Sequence, residues 1–257
     1  MLQKPSGKGI FPLLGACLCF GLFSQLSLAS SITFFQFTDS GTQHFSLTNN
    51  ANGSQTVTDT GAVTFYFSNV PGLSSAYSNA NSPINGTVTL TANSNANVGT
   101  SKQGPNTNAF VTGFSGTITF TADGITFLSA IFGSPNGATL SGNEGGQSAA
   151  FQDSVPPSSE VNFTSSILNF SSQTQEDFSL SLSSINNEVN DADGFNVQGA
   201  NIDNFVASAS GTFASNPGPA PTPEPPAVAS LGLGLFALAA ILRKFRFLRD
   251  GAHQFRQ

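Results

Sequence analysis

The sequence predicts an all-β protein: an antiparallel β-sandwich, jelly-roll-like, between an N-terminal signal helix and a C-terminal transmembrane helix. Three observations carry that reading. Apolar residues alternate with Thr or Ser over short runs, as in Gly116-Thr117-Ile118-Thr119-Phe120-Thr121 and Phe178-Ser179-Leu180-Ser181-Leu182, which is the period of a half-buried strand. Turn dipeptides recur between these runs, and helical punctuation is missing from the body. A polar residue at every second position means antiparallel pairing with one face in water. A parallel β-helix would need a fixed repeat, and none is present.

Residues 1–29 come first. Lys4 and Lys8 precede an apolar segment from Ile10 to Leu22, and Ser27-Leu28-Ala29 follows as a small-x-small cleavage site, the layout of a secretory signal peptide. The cut then falls between Ala29 and Ser30. Leu14-Gly15-Ala16-Cys17 has the residue types of a lipobox, but the apolar run continues past Cys17 where a lipoprotein would turn polar.

The body, residues 30–214, holds strand-forming runs at 32–37, 62–67, 87–91, 117–121, 125–132, 161–170, 178–182 and 202–213, all rich in β-branched and aromatic residues. Between them lie Asn52-Gly53, Pro71-Gly72, Asn85-Gly86, Asp123-Gly124, Asn136-Gly137 and Asp193-Gly194, residue pairs suited to tight turns. Asp123-Gly124 joins two strong runs and predicts a hairpin. The stretch 93–108, rich in Asn, Ser and Gly, predicts a long loop. Six prolines in residues 215–226 predict an extended linker.

Residues 227–257 form the tail. Pro223-Glu224-Pro225 is followed by an uncharged apolar run from Ala227 to Leu242 and then by Arg243, Lys244, Arg246 and Arg249. As a helix the run would span about 24 Å, slightly short of a bilayer's hydrocarbon core, with the basic cluster on the cytoplasmic side. This order resembles the C-terminal signal of PEP-CTERM proteins, and the likeness covers about residues 222–249. The resemblance implies that Pro223, Glu224 and Pro225 are a recognition tripeptide for exosortase, a membrane-embedded cysteine peptidase. It likewise implies that Arg243, Lys244 and Arg246 stop translocation, and that the bacterium makes exopolysaccharide. A plain single-span anchor behind a Pro-rich linker is the alternative.

Composition narrows the chemistry. From Ser30 to Thr222 there are twelve acidic residues and one basic residue, Lys102, a net of −11 within a chain total of −6. Such a body cannot neutralise phosphates, which excludes nucleic-acid partners. Cys17 and Cys19 both lie in the signal segment, so the mature chain has neither disulfide nor thiolate. Its one histidine before the tail, His44, alternates with Phe45 and Leu47 and is expected to face solvent. Glu176 and Asp177 are adjacent and point to opposite sides of a strand, so they are poor partners for the paired-carboxylate chemistry of glycosidases. Glu144 and Glu160 are expected in loops. No cofactor is implied, and no metal site beyond weak calcium candidates at Glu188, Asp191 and Asp193. Sequons at Asn52, Asn85, Asn162 and Asn169 occur in a chain rich in Asn, Ser and Thr, and carry no independent weight.

Together these features describe a non-enzymatic protein exported through Sec-type machinery, passing the inner membrane as an intermediate, then displayed at the cell surface or released among extracellular polysaccharide. The competing reading is a jelly-roll carbohydrate-binding module, for which a groove lined by Tyr66 or Tyr77 with Asn and Asp would be the mark. The mature protein is expected to start at Ser30; Edman sequencing of the exported form checks this, and a lipidated Cys17 terminus would overturn it.

Overall fold

The computed structural model describes residues 31–221 apart from 42, 134–135, 154–160 and 188–192. The signal segment with Ala29 and Ser30 lies outside the described residues. So does everything from residue 222 onward, including Pro223, Glu224, Pro225, Arg243, Lys244 and Arg246. Among the described residues there is no helix long and apolar enough to cross a membrane.

What is described is all-β and antiparallel. The strands are β1 (Ile32–Asp39), β2 (Phe45–Asn49), β3 (Gln55–Phe67), β4 (Ile84–Ser94), β5 (Gly99–Gln103), β6 (Asn106–Ala122), β7 (Ile125–Phe132) and β8 (Ala138–Asn143). They continue with β9 (Ser148–Asp153), β10 (Asn162–Thr164), β11 (Leu168–Asn169), β12 (Gln175–Asn186), β13 (Val197–Gln198), β14 (Asn201–Ile202), β15 (Phe205–Asn216) and β16 (Ala220–Pro221).

Pairing runs in a closed circuit. One edge of β15 takes β12, and its other edge takes β2 along residues 205–207 and β1 along 210–215. β1 and β2 thus act as one strand broken at residues 40–44, and both pair onward with β3. From β3 the ladder passes to β4 and then to the C-terminal half of β6. The N-terminal half of β6 pairs with β8, β8 with β9, and β9 with β12, which returns to β15. β5, β7 and β10 extend this circuit from β6. Closure leaves few free edges, the property that protects a β-protein from pairing with its neighbours.

The core is made of phenylalanine because the alternation sends phenylalanine inward from both sides of the circuit. Phe120 on β6 lies 4.7 Å from Phe35, 4.8 Å from Phe37 and 5.4 Å from Phe213, ring centre to ring centre. Phe151 on β9 gathers Phe45, Phe114, Phe132 and Phe178 within 5.5–6.1 Å. Phe178 and Phe213 stack at 5.9 Å and join the two groups. Edge-on and tilted pairs at these separations suit the ring quadrupoles. Phe34 and Phe35 are both fully buried although adjacent, because a bulge in the β1–β15 ladder reverses the alternation there. Phe34 packs instead on Phe163 and Phe170 beside β10 and β11.

Several expectations are corrected. Asn85-Gly86 is no turn but the start of β4: a Cβ on Gly86 would lie 2.6 Å from the Phe65 ring and 2.5 Å from the Thr121 carbonyl, so this glycine admits close packing inside a strand. Residues 93–108 are no long loop, since they hold the end of β4, the β5–β6 hairpin turning at Gly104-Pro105, and the start of β6. The run 161–170 breaks into β10 and β11, where the Ser165 hydroxyl accepts hydrogen bonds from the backbone N–H groups of Ile167 and Leu168. β15 reaches Asn216, and Ala220–Pro221 pair back on β11, so the first residues of the Pro-rich segment lie along the body. The predicted hairpin at Asp123-Gly124 is present, with both residues at positive φ.

Replacing Phe120 with Ala is expected to lower unfolding free energy by about 3–5 kcal/mol, the range for truncating a buried aromatic; urea titration measures it, and an unchanged midpoint would remove Phe120 from the core.

Candidate functional site

Two ranks of uncharged polar side chains cross the outer face of four neighbouring strands. In the first, Tyr66 on β3 stands opposite Gln36 on β1, then Thr212 on β15 and Ser179 on β12. In the second, Thr64, Thr38, Ser210 and Ser181 follow the same order. Strand spacing and pleat place neighbours about 4.8 Å apart across strands and the ranks about 6.8 Å apart along them. The segment between β3 and β4 supplies Ala80 and Pro83 as a wall, giving a groove of about 450 Å³. That segment is pinned by the Phe67 N–H donating to the Tyr77 carbonyl at 2.9 Å and by the Tyr77 ring against Phe127 at 5.6 Å. Tyr77 therefore packs the body, and Tyr66 is the tyrosine of the groove.

The groove is fixed from behind. Phe35, Phe37, Phe65, Leu180 and Phe213, which alternate with its polar residues on the same strands, are all buried in the core. Its chemistry is hydroxyl, amide and phenol, with no charged side chain in the lining. Sequence reading anticipated Tyr66 but not Gln36 or the Ser and Thr ranks. Asn and Asp, named as the marks of a sugar groove, are not in this one.

The second polar site faces inward, at the break between β1 and β2. Asp59 on β3 is 1% exposed, and neither of its carboxylate oxygens has a hydrogen-bond partner among the described residues. Burial, and secondly the charge of Asp39, push its pKa up to about 7. Asp39 accepts a hydrogen bond from the Ala209 N–H at 2.6 Å, which occupies the donor that β15 exposes where β1 ends. Burial raises the Asp39 pKa, while this hydrogen bond and the nearby His44 pull it down. His44, expected to face solvent, is half-buried. Its ring covers Gly61, where any Cβ would collide with it, on the face of β3 that also carries Asp59 and Val63. Only glycine at 61 leaves room for that ring.

Elsewhere, the adjacent acids of β12 diverge as expected: Glu176 accepts from the Phe163 N–H at 2.5 Å, and Asp177 from the Ser31 hydroxyl at 2.8 Å. Burial pushes the Glu176 pKa up to about 7 against the opposing effect of that hydrogen bond. Glu176 sits in an open depression with Asn162, Asn169 and Phe170, and it is the one carboxylate among the described lining residues. Glu144 lies in the turn after β8, and Glu160 is outside the described residues. Of the calcium candidates, Asp193 is exposed, while Glu188 and Asp191 lie outside the described residues. Among the described residues, no three His, Cys, Asp or Glu side chains are grouped so as to hold a metal.

Comparison of the chain with protein-family models, with curated proteins and with solved structures finds no match.

The raised carboxyl groups set a pH dependence. Asp59 and Glu176 bind their protons more tightly folded than unfolded, so the stability they carry is complete below about pH 4 and is lost as pH rises through about 7. Thermal melts are expected to fall between pH 4.5 and 8. Asp59→Asn should flatten that slope and raise the melting temperature at pH 8; an unchanged slope would show that Asp59 does not titrate in this range.

Proposed function

We propose that this chain is an exported, non-enzymatic protein of the cell surface or extracellular matrix, sorted through a PEP-CTERM-type tail. Its body is read as a jelly-roll-like β-sandwich, a form consistent with the large antiparallel sheet and its phenylalanine core. The observation that carries the proposal is the order Pro223-Glu224-Pro225, apolar run, Arg243-Lys244 and Arg246, behind a cysteine-free acidic body and a signal-like N-terminus. Each part has a use only if met in turn by Sec-type export machinery, the inner membrane and exosortase. In this reading translocation halts at the apolar helix, with the body outside and the arginines in the cytoplasm. Cleavage near the tripeptide then frees the body.

A second reading, a jelly-roll carbohydrate-binding module, is favoured by one specific observation: the Tyr66 groove, which presents hydroxyl and amide groups at fixed spacing on a rigid sheet. The two readings are compatible, since a matrix protein gains retention from contact with matrix polysaccharide.

Changing Pro223, Glu224 and Pro225 together to Ala should leave export intact but trap a full-length species in the inner membrane of a host that has exosortase. Membrane fractionation with intact-mass measurement reads this out. Release equal to that of the parent chain would reduce the tripeptide to linker.

A further inference from the structure

We propose that the groove between Tyr66 and Ser181 binds an uncharged polysaccharide and discriminates against uronate-containing or otherwise anionic chains. This deepens the carbohydrate-binding reading and rests on it.

The first argument is charge. An anionic glycan needs cations, and the groove lining holds none. The body around it carries one Lys against twelve acids, a field that opposes any polyanion out to about the Debye length. Desolvating a carboxylate in this groove would leave it facing hydroxyls and an amide, with no opposite charge to offset the loss of water.

The second argument is that the hydroxyls here are uncommitted. Elsewhere on the sheet some Thr and Ser hydroxyls engage each other across strands: Ser46 on β2 with Thr58 on β3 at 2.7 Å, Thr87 on β4 with Thr121 on β6 at 2.8 Å, and Thr119 on β6 with Ser129 on β7 at 3.1 Å. Thr38, Thr64, Ser179, Ser181, Ser210 and Thr212 line the groove, and none of their hydroxyls bonds another described residue. Each can donate one hydrogen bond and accept two, which matches the mixed donor and acceptor character of sugar hydroxyls. Tyr66 adds an aromatic surface with a polar tip, suited to the apolar face of a pyranose.

The third argument is rigidity. The eight polar residues of the two ranks all stand on strands locked by the core behind them, so binding costs little ordering of the site.

The test titrates the full chain in detergent micelles with soluble neutral glucan, mannan and galactan oligosaccharides, and with alginate oligosaccharides as the anionic counterpart. Binding to at least one neutral set, insensitive to salt, and at least tenfold stronger than to alginate is expected. Tyr66→Ala and Gln36→Leu should each weaken it at least fivefold with the melting temperature held. Thr89→Val, on the β4 face outside the groove, should leave it unchanged. Binding to alginate as strong as to the neutral sets, equal binding by Tyr66→Ala, or no binding to any neutral set would overturn the proposal. Cell fractionation separates this from the export reading: a chain that is exported yet binds no neutral glycan sinks the groove alone, and a chain that never leaves the cytoplasm sinks the export reading whatever it binds.

Discussion

Phe120 is the contact on which the rest of the fold depends. It touches Phe35 and Phe37 of β1, Phe65 of β3 and Phe213 of β15, three adjacent strands of the circuit, none of which pairs with its own strand β6. With no cysteine after Cys19 and no tryptophan anywhere, phenylalanine contacts such as these tie the strands of the body together. Each buried phenylalanine contributes roughly 1.5–3 kcal/mol by removal from water, and the tilted ring pairs add a further fraction. Small residues complete the fit. Gly211 has Leu180 and Phe37 within 2.7 Å of where its Cβ would be, and Gly142 has the Phe195 ring at 2.9 Å, so both must be glycine for the rings to lie where they do.

The break between β1 and β2 is where this apolar economy fails, and it is the least comfortable part of the molecule. A strand that stops at Asp39 and resumes at Phe45 leaves β15 and β3 without a neighbour over a short stretch. Asp39 fills part of the gap by accepting the Ala209 N–H, and His44 fills another part over Gly61. The cost is a second carboxyl, Asp59, held next to the first with no hydrogen-bond partner among the described residues. Two acids so placed cannot both ionise cheaply, which is why the carboxyl chemistry of the body turns on this point and on Glu176.

Much of the fold was legible because its signal is local. Ile118, Phe120, Leu180 and Leu182 alternate with Thr and Ser in sequence and are buried in the structure, and Asp123-Gly124 turns where its residue types require. What was not legible depends on distant partners. Gly86 looks like a turn residue until the Phe65 ring and the Thr121 carbonyl are placed against it. Residues 138–153 carry few β-branched residues, yet β8 and β9 form because β6 and β12 offer them edges. The seating of the His44 ring over Gly61 goes with the break before it, which alternation alone cannot report. Tyr66 could be singled out as an aromatic on a polar face. Its partners Gln36, Thr212 and Ser179 come from three other strands, and only register aligns them.

The distribution of charge gives the outer faces their character. Apart from Lys102, the body uses acids alone, and several of these are drawn inward or into hydrogen bonds at strand ends: Asp39, Asp59, Glu176 and Asp177. The ranks across β3, β1, β15 and β12, and those across β3, β4 and β6, are left with hydroxyls and amides. Net negative charge keeps such a protein dispersed, and the closed circuit limits strand-to-strand association. Neither supplies attraction to a partner. Recognition on these faces must therefore come from hydrogen bonding at fixed spacing, and it is strongest where hydroxyls are not already satisfied by each other. The ladder of Thr87 with Thr121 and Thr119 with Ser129 is self-satisfied, so it stiffens the sheet and offers little to a ligand. The hydroxyls of the groove beside Tyr66 lack such pairing among the described residues, and that availability, joined to the phenol of Tyr66 and the wall at Ala80 and Pro83, is what the proposed binding role draws on.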